Sequence, residues 1–238
     1  GYASLVLGCV PWLTETTVET ARDAASGALF ATNAARGEFS DRTTFAHLVA
    51  PSDSGVVSLT GDRTTFLGRT GSVADPAALH SAAPLDGRTG PDFDPCAAFQ
   101  CTLTLAAGAT VEVAMLLGEA ESETRARALV AEFSGLPAIA QALVDVRHFW
   151  CDLLGSVQIE TPSPALDLMM NGWLTYQNLA CRVWGRSAYY QSGGAFGFRD
   201  QLQDSVALLY HDAKLTRAQI LLHASHPKHT PLNRYLSL

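Results

Sequence analysis

Charged residues are scarce in this 238-residue chain: Asp, Glu, Lys and Arg make up 16% of it, where about 25% is usual for soluble domains. Beside 47% apolar residues, that scarcity argues against disorder and for a chain able to bury a sizeable core. A basic excess is absent as well. Sixteen Lys and Arg stand against 23 Asp and Glu, a net charge of −7, so no sequence-wide attraction draws the chain to nucleic acid or anionic lipid. The expected partner is small or neutral. Long apolar runs are missing too: the stretch from Leu105 to Leu117 is broken by Thr110 and Glu112, short of the roughly 20 residues of a membrane span. The chain is expected to be soluble, without a membrane segment. Its apolar start, Gly1 to Trp12, lacks the basic region of a signal peptide, and a first residue other than Met suggests a piece of a longer protein. Regular cysteine spacing is the last absence. Cys9, Cys96, Cys101, Cys151 and Cys181 give an odd count with no disulfide or zinc pattern, and read as small apolar filler in a cytoplasmic protein.

The first half carries β patterns. Ala3 to Val10, Thr44 to Ala50, Cys101 to Leu105 and Thr110 to Leu117 are short apolar or alternating runs, separated by turn clusters at Pro51 to Gly55, Gly61-Asp62 and Asp86 to Gly90. Val111, Val113 and Met115 alternate with Glu112 and Ala114, as in a sandwich strand with one face in the core. Arg69 to Pro95, rich in Gly, Ala, Asp and Pro, reads as a long surface excursion. Near Gly118 the periodicity changes. Glu119, Glu121 and Glu123 precede Arg125 and Arg127, placing acid where a helix dipole favours it. Ser134-Gly135-Leu136-Pro137 ends that helix and opens another, with Ile139, Leu143, Val146, Phe149 and Trp150 at helical spacing. Ser163-Pro164 opens a third, with Leu166, Met169, Met170, Trp173, Leu174 and Gln177 on one face through to Trp184. Further helices are expected at about Arg199 to Tyr210 and Leu215 to Ala224. Trp150, Trp173 and Trp184 are expected in the core. No internal repeat is evident, and the tail after His226 shows no period.

Chemistry concentrates between Arg182 and Asp204, where planar hydrogen-bonding groups, aromatics and glycines crowd together. With Asp200 at a helix start, Gln203 and Asp204 fall at i+3 and i+4 on its own face, while Leu202, Val206 and Leu209 are expected to turn inward. Glycines in the Ser192 to Gly197 loop let backbone approach a ligand, and Tyr189, Tyr190, Phe196 and Phe198 offer flat faces. Sugars suit that combination, because hydroxyls need carboxylate, amide and guanidinium partners while C–H faces stack on rings. Two readings stay open: a sugar site, or a structural Arg199–Asp200 pair beside solvated Gln203 and Asp204. The loop is neither a dinucleotide fingerprint nor a P-loop. His223, His226 and His229 share a three-residue interval, but Pro227 interrupts any common helical face, so no metal site is expected.

The stretch Tyr189-Tyr190-Gln191-Ser192-Gly193-Gly194-Ala195-Phe196-Gly197-Phe198-Arg199-Asp200-Gln201-Leu202-Gln203-Asp204 closely resembles the signature of glycoside hydrolase family 94, formerly glycosyltransferase family 36. Within it the branch of cyclic β-1,2-glucan synthases and 1,2-β-oligoglucan phosphorylases is the best match. Asn171 to Gln177, Leu85 to Gly90 and the Glu19 to Phe45 stretch, with Ala31-Thr32-Asn33 and Phe39-Ser40-Asp41-Arg42, extend the likeness over nearly the whole chain to about His223. The resemblance implies an α+β multidomain architecture: a β-sandwich over 1–118, a helical linker over 119–160, the start of an (α/α)6 barrel over 161–226, and an irregular tail over 227–238. It implies inverting phosphorolysis of β-glucosides or the reverse glycosyl transfer, in which one carboxylic acid protonates the glycosidic oxygen while phosphate attacks the anomeric carbon from the opposite face. Inorganic phosphate or glucose 1-phosphate would then be co-substrate, with no cofactor or metal. Partners would be a β-glucan oligosaccharide, the rest of a parent polypeptide, and a second copy in a homodimer; the parent would sit in the cytoplasm or at the cytoplasmic face of a bacterial inner membrane. Substrate-binding candidates are Gln191, Phe198, Arg199, Asp200, Gln203 and Asp204, the Arg199–Asp200 pair matching the family's sugar-holding pair.

The sequence also departs from the family. The Trp-Asn-Asp motif that carries the general acid does not occur, and Ser225-His226-Pro227-Lys228-His229 stands where a His-Trp-Trp-His-like segment is expected. Ser192-Gly193-Gly194 replaces an arginine that many phosphorylases of the family place near phosphate. Twelve barrel helices of about 12 residues with their connections need well over 200 residues, and the chain offers 120 from Glu119 to Leu238. The expectation is a fragment with no catalytic residue of its own, inactive alone. Two alternatives stay open: a catalytically empty carbohydrate-binding or assembly domain, and an (α/α)6 inverting hydrolase.

Overall fold

The computed structural model describes residues 1–7, 15–35, 40–51, 54–185 and 198–225. These divide into two compact units, Gly1–Ala142 and Leu143–Leu238.

The first unit holds two antiparallel sheets. Strands β1 (Tyr2–Ser4), β2 (Val18–Arg22), β3 (Leu29–Asn33), β4 (Thr43–Val49), β5 (Ser58–Asp62), β6 (Pro95–Gln100) and β7 (Ala114–Ala120) sort into a three-stranded sheet, β1-β6-β5, and a four-stranded one, β2-β3-β4-β7. Leu5, Leu59, Ala97 and Phe99 from one sheet meet Val18, Leu29, Ala31, Ala46 and Leu48 from the other in one buried cluster. That is the sandwich core. Both outer faces are covered as well. Helix α1 (Arg63–Leu67) sets Phe66 and Leu67 against Leu85, Cys96 and Ala98, and α2 (Glu123–Glu132) sets Ala126 and Val130 against Ala28, Phe30 and Phe45. This double coverage explains why Leu29, Phe30 and Ala31, consecutive in β3, are all buried. Phe45 lies opposite Gly118 in the β4–β7 register. A Cβ at Gly118 would fall 2.5 Å from the Phe45 ring, so only glycine admits the aromatic there.

Several strands differ from expectation. Cys101 to Leu105 forms no strand; pairing ends at Gln100, whose partner Ser58 is the first residue of β5. The Thr110 to Leu117 run starts pairing only at Ala114, where β4 runs out at Val49, two residues before Pro51, which has no N–H to donate. Leu117, opposite Ala46 on the sheet's inner side, is nonetheless exposed, because β7 is the edge strand. Ala3 to Val10 pairs over Tyr2–Ser4, and its last three residues lie outside the described residues. Gly61-Asp62 is a bulged strand end rather than a turn. The Gly61 N–H donates to the Arg88 carbonyl at 2.7 Å, and Asp62 caps α1 by accepting from the Thr64 N–H at 2.9 Å. Arg88 Nη1 reaches the Asp62 carboxylate at 3.4 Å, so the Leu85 to Gly90 segment is stitched to the sheet by its own residues. Burial pushes the Asp86 carboxyl up, but the Arg88 N–H, the Thr60 and Thr65 hydroxyls and the Arg88 charge together hold it below the ordinary value.

Helix α2 starts where the acids predicted a helix, with Ser122 as N-cap accepting from the Arg125 N–H at 3.2 Å. Only Glu123 of the three acids lies in its first turn; Glu119 belongs to β7 and pairs with Arg42 at 3.4 Å. Arg127 bridges Glu123 at 2.6 Å and Asp23 at 3.0 Å. The Ser26 hydroxyl and N–H, with Arg127, outweigh burial and hold the Asp23 carboxyl low.

The second unit is helical. Helix α3 (Leu136–Gly155), which begins in the first unit, is followed by α4 (Pro164–Leu168), a π-helical turn (Met169–Trp173), α5 (Leu174–Gln177) and a second π-helical segment (Asn178–Trp184), then by α6 (Phe198–Val206), a 3-10 turn (Ala207–Tyr210) and α7 (Ala213–Ser225). Its apolar cluster is Leu153, Leu179 and Leu208, with Trp150, Val183 and Leu215 packed against them. Leu143, Val146, Phe149, Leu166, Met170 and Leu174, expected on buried faces, are exposed. Among the described residues no single helix is long and apolar enough to cross a membrane.

Candidate functional site

The sugar-site candidates gather at the start of α6. The helix turns Gln201, Ser205 and then Leu208 inward, each at most 3% exposed, while Val206 and Leu209, expected inside, are exposed. A polar neighbour causes this one-residue offset. Helix α7 meets α6 with buried Thr216, Gln219 and His223; Thr216 Oγ1 donates to the Ser205 carbonyl at 2.8 Å, and His223 Nδ1 lies 2.9 Å from the Gln219 carbonyl. An inward face built of hydrogen-bonding side chains carries no apolar signal to read.

On the opposite face, Arg199 and Asp200 pair side by side, Nη2 to Oδ1 at 3.2 Å, with both side chains more than half exposed. An exposed neighbour pair of this kind contributes little to stability, and it presents a guanidinium fork and a carboxylate together. Gln203 is exposed on the same helix. Asp204 differs. Its Oδ2 accepts from Arg182 Nε at 2.7 Å, both side chains about one-third exposed, and its main-chain carbonyl accepts from Asn178 Nδ2 at 2.6 Å. It is therefore not simply solvated. Gln191 lies outside the described residues, as does the Gly-rich loop; Phe198 opens α6, and its side chain is likewise outside them.

Arg182 and Asn178 had no assigned role in the sequence. Their i, i+4 spacing on one helix was the available signal, but the partner lies 22 residues further on. The Asn171 amide clamps Ile159, accepting from its N–H and donating to its carbonyl, each at 2.8 Å. Asp167 Oδ1 accepts from the Thr161 N–H at 3.0 Å and hydroxyl at 2.8 Å, so it ties down the α4 entry. Trp150 is half-buried, whereas Trp173 and Trp184 are exposed. Trp150 packs against the Leu153–Leu179–Leu208 cluster as expected, whereas Trp184 lies outside it in an aromatic cluster, with Phe149 stacked on Trp184 at 5.8 Å and Trp150 5.0 Å from Tyr176. A cavity of about 480 Å³ opens among Ile159, Met170, Leu174, Asn178, Leu208 and His211. His211 bridges Thr175 and Ser156 at 3.0 and 2.9 Å, eleven residues beyond Asp200. His226 and His229 lie outside the described residues. No three His, Cys, Asp or Glu gather at metal-binding distance among the described residues.

Residues 1–136 match the family model described as glycosyl hydrolase 94, supersandwich domain, and residues 149–230 match the glycosyl hydrolase 94 superfamily, catalytic domain. A cyclic beta-(1,2)-glucan synthase, NdvB, from Rhizobium meliloti (strain 1021) is 41% identical over 221 residues, covering 93% of this chain and 8% of the relative. An N,N'-diacetylchitobiose phosphorylase from Vibrio furnissii is 27% identical over 74% of this chain and 22% of its own length. One from Vibrio proteolyticus is 26% identical over 69% and 20%. The chain thus spans less than a quarter of each of these relatives.

Proposed function

From the premise that the chain belongs to glycoside hydrolase family 94, we propose that it is a fragment of an inverting β-glucan-processing enzyme of the β-1,2-glucan class, carrying part of the sugar pocket. One observation carries this reading: at the start of α6 an exposed Arg199–Asp200 pair stands beside exposed Gln203. A fork of donors beside a carboxylate matches the donor and acceptor demands of vicinal sugar hydroxyls. Arg199, Asp200 and Gln203 hold the reacting glucose, and Gln191 and Phe198 are carried as further sugar-binding residues on the family resemblance.

The general acid and most of the phosphate site are supplied by chain outside this sequence. Protonation of the glycosidic oxygen and attack by phosphate on the opposite face need one protein carboxyl, phosphate serving as the nucleophile in place of an activated water. Inorganic phosphate or glucose 1-phosphate is the co-substrate. The exposed apolar faces of α3 and α4 support incompleteness, since a finished helical unit buries such stripes. The division into sandwich 1–118, linker 119–160 and opening barrel helices 161–226 is proposed with it, as is a cytoplasmic location.

The test has two arms. Incubation of the chain with β-1,2-glucooligosaccharides and phosphate is expected to give no glucose 1-phosphate above background. Product that scales with protein and disappears in Asp200→Asn would place the catalytic acid in this chain. Calorimetry of the oligosaccharide in a chain extended through the remaining barrel is expected to show Asp200→Asn binding about ten- to a hundredfold more weakly, and Asp167→Asn little changed. Equal affinities would remove Asp200 from the site.

A further inference from the structure

We infer that Arg182 and Asn178 are positioning residues that hold α6 through Asp204, so that Asp204 serves the site as an anchor rather than as a sugar ligand. The inference rests on the reading of Asp200 as sugar-facing.

Two side chains from the second π-helical segment converge on one residue. Arg182 Nε binds the Asp204 carboxylate at 2.7 Å, and the Asn178 amide binds its main-chain carbonyl at 2.6 Å. A charge-assisted bond of that length between half-buried partners is among the stronger contacts a side chain makes. The grip is two-sided: the next carbonyl, that of Ser205, accepts from Thr216 of α7 at 2.8 Å. Both carbonyls lie at the end of α6, just before the chain tightens into the 3-10 turn at Ala207.

Capturing adjacent carbonyls from two neighbouring helices fixes how α6 is rotated about its own axis. Rotation matters because Asp200 is one turn, about 6 Å, before Asp204 on the same face. Whatever sets the direction of Asp204 therefore sets the direction in which Asp200 projects. The donors come from a π-helical stretch, closed by the Gly185 N–H on the Ala180 carbonyl at 2.9 Å, and such stretches recur where a helix re-aims side chains for function. Leu179, between the donors in sequence, is fully buried against Leu153 and Leu208, so the anchor rests on the packed part of this unit. A sugar hydroxyl at Oδ2 would have to share the oxygen that holds Arg182.

Hydrogen exchange by mass spectrometry on the full chain tests the anchor without any sugar. Arg182→Gln and Asp204→Asn are each expected to speed exchange in residues 198–204 about ten- to a hundredfold, leaving α7 and the sheets unchanged. Asn178→Ala is expected to do the same to a smaller degree. The double variant should be no faster than either single charge variant, and Arg182→Lys should recover part of the protection. Unchanged exchange in 198–204 would overturn the inference. So would a rise that spreads equally to α7 in both Arg182→Gln and Arg182→Lys, which would mark a general stability role. Titration of the same variants with β-1,2-glucooligosaccharide, in the chain extended through the remaining barrel, supplies the second readout. Matched weakening by Arg182→Gln and Asp204→Asn is expected, whereas weakening by Asp204→Asn alone would make Asp204 a ligand and overturn the anchor. If the extended chain without substitutions binds no oligosaccharide, the sugar reading fails and the exchange result still decides whether Asp204 is an anchor.

Discussion

The sandwich closes its own core, and the helical unit leaves much of its apolar surface open. In the first unit three buried clusters lie between and outside the two sheets, and α1 and α2 cover the outer faces. In the second, Leu153, Leu179 and Leu208 are buried together, while Leu143, Val146, Phe149, Trp173 and Trp184 remain exposed. Apolar area removed from water is what stabilises a fold, at about 25 cal/mol per Å², so the two units differ in how far their own residues can hold them. Composition does not reveal this, because both units are rich in apolar residues and, among the described residues, only the first covers most of them.

The largest expected effect is in the sandwich. Phe45→Ala empties the space that Gly118 leaves for the ring and should cost about 3–5 kcal/mol in urea unfolding followed by a sheet signal. A loss below about 1 kcal/mol would mean that the outer face is loosely packed. Leu179→Ala should cost about 2–4 kcal/mol, read as faster exchange confined to the helical unit; an equal rise in the sheets would show that the units unfold together. Next comes charge. Asp23 and Asp86 both have folded-state pKa values below the ordinary 3.8, so the unfolded chain binds protons more readily. Their contribution is present above about pH 4 and is lost as pH falls through 3.8 toward the lowered values. Asp23→Asn should therefore cost about 2 kcal/mol at neutral pH and flatten the acid limb of the sandwich's pH–stability curve. An unaltered acid limb would assign that loss to other carboxylates. The smallest effect is Leu143→Gln on the open face of α3, within about 0.5 kcal/mol of the parent yet with reduced binding of a hydrophobic dye; a cost near that of Leu179→Ala would mean the face is covered in solution.

Legibility followed the kind of contact that each element makes. Helix α2 was readable because Glu123, Arg125 and Arg127 are local signals, and so was α7. Strand β5 was missed, since Ser58 to Asp62 contains a glycine and an aspartate that ordinarily mark a turn. Its Gly61 is there because a Cβ would collide with Thr20 at 2.5 Å, a neighbour 41 positions away. At the site, the grouping of Asp200, Gln203 and Asp204 on one face was legible from helical spacing. The different fates of the two carboxylates were not, because Arg182 reaches Asp204 across 22 residues and spacing along a chain says nothing of such a meeting.

The sequence by itself determined the class of the fold, the change from strand to helix between Ala120 and Glu123, and the family, since local periodicity, caps and a long signature are written in consecutive residues. The tertiary structure alone decided which residues face inward and which charges are committed. Gln201, Ser205, Thr216 and His223 are buried although polar, and Trp173 and Trp184 are exposed although aromatic. Burial is a property of the facing surface rather than of the residue: where a neighbouring helix offers hydrogen bonds a polar face turns inward, and where no described neighbour covers it an apolar face stays in water.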